Sequence, residues 1–123
     1  MSKNKRALVV DDDEAIALMV KLQLRKLGVS ADVAASGAQA LDLFKDKNYD
    51  IVFLDIQMPE MDGFEATREL RAIEKQVPKG RSTIVAMTAS LDEVRARASG
   101  MDDFLFKPFR LDNLKQIVDK WVA

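Results

Sequence analysis

Polar residues that could take part in chemistry stand directly after four short apolar runs of this sequence. In chain order they are the acidic group 11–14, Asp55, Thr88 and Lys107. The sequence contains no histidine and no cysteine, which excludes imidazole and thiolate groups as ligands, bases or nucleophiles. Carboxylates, a hydroxyl and an ammonium group remain, and this set suits a hard divalent cation and phosphoryl transfer.

The carboxylates favour a metal site if they converge. Two carboxylates about 4 Å apart repel by on the order of 4 kcal/mol at an effective dielectric constant of 20, so a cluster requires a proton, a lysine or a metal ion. Because only oxygen ligands are available, Mg²⁺ is favoured and Mn²⁺ is the alternative. A carboxylate could also act as a nucleophile and form an aspartyl phosphate. Asp55 is the candidate, since it follows Ile51-Val52-Phe53-Leu54, the most apolar strand-like run of the sequence.

Each of these residues also has an ordinary structural explanation. The acids 11–14 could stabilise a helix N-terminus through the helix dipole. Asp55 and Thr88 could be strand-end or capping residues, and Lys107 could be a solvated loop residue. Their coincidence at four successive strand ends favours a common site over four separate structural roles.

Short apolar runs alternate with amphipathic segments along the whole chain. The first run is followed by apolar residues at helical spacing, namely Ile16, Val20, Leu24 and Leu27. Five such units predict an α/β fold in which parallel strands form a sheet covered by helices on both faces. Because the carboxyl ends of parallel strands lie at one edge of the sheet, the polar residues named above are expected to meet there.

Some element boundaries are also marked in the sequence. An alternating run from Val29 to Ala35 predicts an edge strand. The third helical stripe is predicted to include Val77 and to end at Pro78, and the fourth helix is predicted over 91–98.

The composition fits one soluble globular domain. The 123 residues are 48% hydrophobic and 32% charged, and 19 Lys and Arg against 20 Asp and Glu give a net charge of -1. We therefore expect no attraction to nucleic acid. The sequence shows neither a signal peptide nor the apolar run of about 20 residues that a membrane span requires, so we expect a cytoplasmic protein without membrane contact.

Four segments together resemble the receiver domain of two-component response regulators. In the family's order they are Leu8-Val9-Val10-Asp11-Asp12, Leu54-Asp55-Ile56-Gln57-Met58-Pro59-Glu60-Met61-Asp62-Gly63, Ala86-Met87-Thr88-Ala89 and Phe106-Lys107-Pro108-Phe109. The resemblance extends over essentially the whole chain and is strongest to receivers found in hybrid sensor kinases. It implies a single receiver domain over 1–123 with no output domain. It also implies a (βα)5 doubly wound parallel sheet with the flavodoxin-like strand order 2-1-3-4-5.

The resemblance implies a metal-binding and phosphoaccepting role for the acidic residues. Asp55 would be the phosphoacceptor and would also contact Mg²⁺. Asp12 would be a direct Mg²⁺ ligand, and Asp11 would support the metal through water. The backbone carbonyl of Gln57 would be a further ligand.

The resemblance also assigns the two polar residues at the last strand ends. Thr88 would donate its hydroxyl to the phosphoryl group. Lys107 would pair with Asp55 at rest and with a phosphoryl oxygen afterwards. The Lys107-Pro108 peptide bond would be cis in this family.

Three further residues are expected to modulate the site. Gln57 and Ser90 are expected to tune hydrolysis of the acyl phosphate. Phe104 stands where the family has its switch aromatic, and a core position on an edge strand explains it equally well. Because phenylalanine has no hydroxyl, any switching at Phe104 must occur through packing alone.

The partners implied by the resemblance are proteins of a two-component or phosphorelay system. A histidine kinase or a histidine phosphotransfer protein would present the phosphohistidine. The chain would be a signalling phosphoacceptor rather than an enzyme, with self-catalysed phosphotransfer and autodephosphorylation. Phosphorylation would change the face formed by the fourth helix, last strand and fifth helix, which would contact a downstream protein. A monomer and a phosphorylation-dependent dimer are both compatible with the sequence.

Three other functions are compatible with parts of the sequence. A haloacid-dehalogenase-like phosphatase would use Asp11 as nucleophile, but Glu14-Ala15 departs from that family's pattern. A flavodoxin-like FMN protein needs a phosphate-binding loop rich in Ser, Thr and Gly after the first strand, where this chain is acidic. A receiver-like binding module without phosphorylation is the third reading, although no residue needed for phosphorylation is missing.

Overall fold

The computed structural model describes residues 5–77, 79–90 and 92–122. Within these ranges five strands alternate with five helices, as the apolar pattern predicts. Their bounds are β1 (Arg6–Val10), α1 (Glu14–Lys26), β2 (Ser30–Ala34), α2 (Gly37–Asp46), β3 (Ile51–Asp55), α3 (Gly63–Gln76), β4 (Thr83–Thr88), α4 (Glu93–Ser99), β5 (Asp103–Phe106) and α5 (Leu111–Trp121).

The strands form one parallel sheet in the order β2-β1-β3-β4-β5. This confirms the predicted fold class and strand order. The carboxyl ends of all five strands lie at one edge, which we call the C-edge. β3 is the central strand, and each of its five residues is buried. Its residues are apolar up to Asp55 because helices cover both faces of the strand.

Two hydrophobic cores lie on opposite faces of the sheet, and successive strand residues alternate between them. On β3, Val52 and Leu54 join the core under α2, α3 and α4, whereas Ile51 and Phe53 join the core under α1 and α5. This alternation follows from the period of two in a strand. The sheet is thereby fixed from both faces, and the positions of the residues at the C-edge are fixed with it.

Two element boundaries differ from the sequence predictions. Val77 was expected in the apolar stripe of α3, but it is the C-cap residue and is 37% exposed, because the helix ends at Gln76. Val29 to Ala35 does contain an edge strand, β2, yet within β2 only Ala34 is buried, since an edge strand is covered less completely. Pro78 and Leu91 lie outside the described residues, and α4 begins at Glu93.

Across the described ranges no helix has the length and apolar character needed to cross a bilayer.

The loop between β3 and α3 turns back tightly onto the strand that precedes it. The backbone amide of Gly63 donates to the carbonyl of Ile56 at 2.8 Å. A Cβ atom at Gly63 would lie 2.7 Å from the Asp55 carbonyl oxygen and 2.7 Å from the Ile56 Cα. Glu60 adopts a left-handed conformation with φ of 70°, which costs about 1 kcal/mol for a residue with a side chain. The loop is therefore built around a close backbone contact directly after Asp55.

We expect Gly63→Ala to lower the free energy of unfolding by about 1–3 kcal/mol, because the new methyl group would overlap backbone atoms that cannot move independently. Gly80→Ala is the matched control, since a Cβ there meets no atom within 4 Å. Urea unfolding of both variants measures the effect. Equal stability of the two variants would contradict the predicted contact.

Candidate functional site

Three carboxylates meet at the C-edge of the sheet. One oxygen from each of Asp11, Asp12 and Asp55 lies within 4.8 Å of the others. Asp11 is 1% exposed and Asp55 is 5% exposed, whereas Asp12 is open to solvent. A half-open acidic cluster of this kind offers oxygen ligands to a cation that enters from solution.

The sheet itself brings the two buried carboxylates together. Val10 of β1 is paired with Leu54 of β3, so the residues that follow them, Asp11 and Asp55, stand side by side. The backbone amide of Asp11 donates to the carbonyl of Ala34 on β2 at 3.1 Å. Neighbouring strands therefore fix the backbone on which the cluster is built.

The acidic group 11–14 divides into two functions. Asp13 is the N-cap of α1, and its side chain accepts hydrogen bonds from the amides of Ala15 and Ile16 at 3.0 and 3.2 Å. Glu14 lies in the first turn of the same helix, where a negative charge is favoured by the helix dipole. The structural explanation thus applies to Asp13 and Glu14, while Asp11 and Asp12 belong to the cluster.

Lys107 supplies the positive charge of the site. Its Nζ lies 3.2 Å from Asp11 Oδ2 and 3.4 Å from Asp55 Oδ1. Its backbone amide donates to the carbonyl of Thr88 at 2.8 Å, and the Lys107-Pro108 peptide bond is cis. Burial lowers the pKa of Lys107, but its hydrogen bonds and attraction to Asp11 and Asp55 outweigh burial and raise that pKa above its ordinary value. Lys107 is therefore charged at neutral pH.

Asp55 has a strongly perturbed carboxyl group. Burial is the largest cause, and with repulsion from Asp11 it raises the pKa of Asp55 from 3.8 to about 6, against the opposing effects of Lys107 and the Gln57 amide. The Gln57 amide donates to Asp55 Oδ1 at 3.2 Å. One lysine therefore does not neutralise the three carboxylates, and the residual negative charge suits a divalent cation. The donor set, all oxygen, fits Mg²⁺.

The other predicted site residues lie around this centre. Thr88 ends β4, and its hydroxyl donates to the carbonyl of Ser90 at 2.6 Å and accepts from the Ser90 amide. The hydroxyl is thus engaged with its own loop. Gln57 and Ser90 are both exposed, one on each loop beside Asp55.

Phe104 lies on the edge strand β5. The strand β4 separates β5 from β3, at the end of which Asp55 lies. The Phe104 ring is half-buried and packs against the core under α2, α3 and α4. The guanidinium carbon of Arg97 lies 4.8 Å from the ring centroid. This position is compatible with both explanations that the sequence left open, a core residue and a switch aromatic.

Comparison with known proteins agrees with this geometry. The family model described as "Response regulator receiver domain" matches residues 7–119. The chain belongs to this family, the receiver domains of two-component signalling systems. It is 38% identical over 122 residues to hybrid signal transduction histidine kinase L of Dictyostelium discoideum, which accords with the expected likeness to hybrid kinase receivers. The match covers 94% of this chain but 7% of that kinase, so the chain spans a small fraction of this curated relative.

Two solved structures share the fold closely. The receiver domain of sensor histidine kinase PA1611 from Pseudomonas aeruginosa is 32% identical with a TM-score of 0.85, and the match covers 98% of each chain. That structure has a magnesium ion coordinated in its active site cleft. The receiver domain of Ssk1 from Saccharomyces cerevisiae is 29% identical with a TM-score of 0.88, covering 99% of this chain and 91% of that chain. It was crystallised with the histidine phosphotransfer protein Ypd1.

One surface beside the site was missed by the sequence analysis. Leu18, Met19 and Leu22 on α1 are exposed, Leu18 to 55% and Leu22 to 48%. These three residues, which we call the α1 apolar stripe, lie off the face that carries Val20 and Leu24 into the core. The sequence does indicate this surface, because α1 contains more apolar residues than a single core-facing stripe requires.

The raised pKa of Asp55 predicts a pH-dependent stability difference in Asp55→Asn. The folded chain binds the Asp55 proton more tightly than the unfolded chain does, so ionised Asp55 destabilises the fold above about pH 6 and does not do so below 3.8. Without divalent cations, we expect the variant to be more stable at pH 7.5 by about 1–3 kcal/mol, since one pKa unit corresponds to about 1.4 kcal/mol.

The gain should decrease toward pH 4, where both proteins carry a neutral group at position 55. Chemical unfolding of wild type and variant between pH 4 and 7.5 measures it, with the exposed Asp42→Asn as control. A difference that stays constant over this range would contradict the assignment.

Proposed function

We propose that this chain is the phosphoacceptor of a two-component or phosphorelay system and that Asp55 receives the phosphoryl group. The observation that carries the proposal is the place of Asp55: a buried carboxylate at the end of the central strand, beside two other carboxylates and 3.4 Å from the Lys107 ammonium. The donor is a phosphohistidine on a histidine kinase or histidine phosphotransfer protein. The complex of the similar Ssk1 receiver with Ypd1 supports this class of partner.

The proposed reaction is an in-line displacement at phosphorus. Asp55 Oδ1 is held by the Gln57 amide and Lys107, so Oδ2 is the oxygen that attacks. The Oδ2–P bond forms as the P–N bond breaks, and the imidazole leaves with the electron pair of that bond. Attack requires the ionised carboxylate, and the pKa of about 6 leaves Asp55 mostly ionised at neutral pH.

The remaining site residues manage the charge of the phosphoryl group. Asp11, Asp12 and Asp55, with the backbone carbonyl of Gln57, would hold Mg²⁺, which when bound neutralises phosphoryl oxygens. Lys107 contacts Asp55 before transfer and transfers its hydrogen bond to a phosphoryl oxygen afterwards. Small phosphodonors such as acetyl phosphate are expected to react too, because this chain supplies the nucleophile and the positive charge.

Thr88 connects phosphorylation to the rest of the fold. Its hydroxyl now contacts Ser90, and we propose that it turns to donate to a phosphoryl oxygen. The displaced loop then lets Phe104 move, and the face formed by α4, β5 and α5 changes for a downstream protein. Gln57 and Ser90, exposed on the two flanking loops, set how readily water reaches the acyl phosphate.

We propose that the phosphohistidine partner docks on α1, over a groove that is lined by Met19 of the α1 apolar stripe. A groove of about 380 Å³ runs between α1 and the segment after β5, and its lining residues are Ile16, Met19, Ala89, Lys107, Pro108 and Phe109. Because Lys107 lines both this groove and the acidic site, a partner helix seated there would bring its histidine to Asp55. The groove is mostly apolar, as a protein-binding surface should be.

The haloacid-dehalogenase-like alternative is disfavoured by the geometry of Asp11. Its Oδ1 accepts from the Asp13 amide at 2.9 Å and its Oδ2 contacts Lys107 at 3.2 Å. Asp11 is also almost fully buried. Each oxygen of Asp11 already has one partner, whereas among the described residues only Oδ1 of Asp55 does, which leaves Asp55 Oδ2 as the more available nucleophile.

Intact-protein mass spectrometry after incubation with acetyl phosphate and Mg²⁺ tests the proposal. We expect one added phosphoryl group in wild type and none in Asp55→Asn or with a chelator. Asp13→Asn is the matched acidic control and should form the adduct, because asparagine also caps helices. Undiminished label in Asp55→Asn, or an adduct mapped to Asp11, would overturn the assignment.

We expect Met19→Ser to slow transfer from a phosphohistidine protein by about fivefold, because Met19 lines the groove and a buried apolar anchor contributes on the order of 1 kcal/mol. Phosphorylated Ypd1 serves as the donor. The reaction with acetyl phosphate should be unchanged. Val94→Ser, which alters an exposed valine on α4, is the control, and equal slowing by this substitution would refute docking on α1.

A further inference from the structure

Helix α4 is held to the body of the domain by few apolar contacts. It has seven residues, and within it only Ala96 and Ser99 are buried. Val94 is 81% exposed. Because small side chains bury little apolar surface, the position of α4 must depend on its other contacts.

The two ends of α4 are fixed unequally. At its C-terminal end Gly100 closes the helix with a φ of 110°. Arg71 of α3 donates from Nε and Nη2 to the Gly100 carbonyl at 3.1 and 2.9 Å, and Nη2 also contacts Asp102 at 2.7 Å. This end is therefore tied to α3 by several charge-assisted hydrogen bonds, which are the stronger kind.

Two arginines connect the rest of α4 to aromatic rings on either side. The Arg95 guanidinium carbon lies 4.2 Å from the ring centroid of Phe64 on α3, and its Nη2 is 3.9 Å from Asp62 Oδ2. The Arg97 guanidinium carbon lies 4.8 Å from the ring centroid of Phe104 on β5. Both distances are within the range of a cation–π contact.

Through these contacts α4 touches both the loop that follows Asp55 and the Phe104 ring. Asp62 ends the loop that begins after Asp55, so Arg95 connects α4 to the far end of that loop. Phe104 has no hydroxyl that could anchor its ring by a hydrogen bond. Its position is consequently set by packing below the ring and by Arg97 above it.

We propose that Arg97 is a latch that holds the Phe104 ring in its resting position, and that the Arg97–Phe104 stack sets the balance between the resting and switched states. The inference rests on the proposed function, since the switched state is the one that phosphorylation of Asp55 favours. Arg97 is a positioning residue in this scheme, because it acts through Phe104. Glu93, 3.7 Å from Arg97 on the same helix, helps to orient the guanidinium group.

The first measurement addresses the latch without any phosphodonor. Three-bond couplings in isotope-labelled protein give the side-chain rotamer populations of Phe104. We expect Arg97→Ala to change the population ratio by about two- to fivefold, the size of an exposed or partly buried cation–π contact. Arg97→Lys, which keeps the charge without the planar group, should lie between wild type and Arg97→Ala. Arg68→Ala removes an exposed arginine from α3 and should change nothing.

The second measurement relates the latch to the switch. Wild type is phosphorylated with acetyl phosphate and Mg²⁺, and the amide resonances of β5 are compared before and after. Resonances of unphosphorylated Arg97→Ala should lie between the two wild-type positions, on the line that joins them. Adduct formation in this variant should persist, because Arg97 is not part of the acidic site.

The outcomes separate the two proposals. Unchanged Phe104 rotamers in Arg97→Ala, or resonances that leave the line between the two wild-type states, would overturn the latch even if Asp55 is phosphorylated. Failure of wild type to form any adduct would instead overturn the proposed function, while the rotamer measurement would still decide whether Arg97 holds the ring.

Discussion

The unequal charge at the C-edge of the sheet is the constraint on which the site depends. Three carboxylates converge and one lysine faces them, so the site retains negative charge that a fold would ordinarily avoid. Burial makes the imbalance most severe at Asp55, whose pKa rises to about 6. The fold tolerates this because the strands beneath are packed on both faces. The same imbalance makes a divalent cation a favourable ligand.

Much of this architecture could be predicted from the sequence because the underlying rules are local and periodic. The alternating apolar segments indicated a parallel sheet, and the polar residues at the strand ends then had to meet at one edge. The spacing did not reveal that Asp13 caps α1 while its neighbour Asp11 joins the cluster. That division depends on the path of the chain after β1, which is set by hydrogen bonds within the loop.

The features that sequence reasoning missed depend on contacts between distant elements. In the sequence, Arg95 and Arg97 are indistinguishable from ordinary charged residues on a helix surface. Their cation–π contacts become visible only when the fold places Phe64 and Phe104 beside them. Val77 continued an apolar pattern but lies past the last turn of α3. The hydroxyl of Thr88 was expected to serve the phosphoryl group, and its present contact with Ser90 could not be read from spacing.

The burial of β3 on both faces has a consequence for how motion is distributed in this domain. Amide groups in such a strand exchange with solvent only when the whole domain opens, whereas edges and short helices open locally at much lower cost. Asp55 ends this buried strand, whereas α4 and β5, the elements proposed to respond to its phosphorylation, lie toward the edge of the sheet. In the proposed mechanism, the peripheral elements move while the strand that carries Asp55 stays packed on both faces.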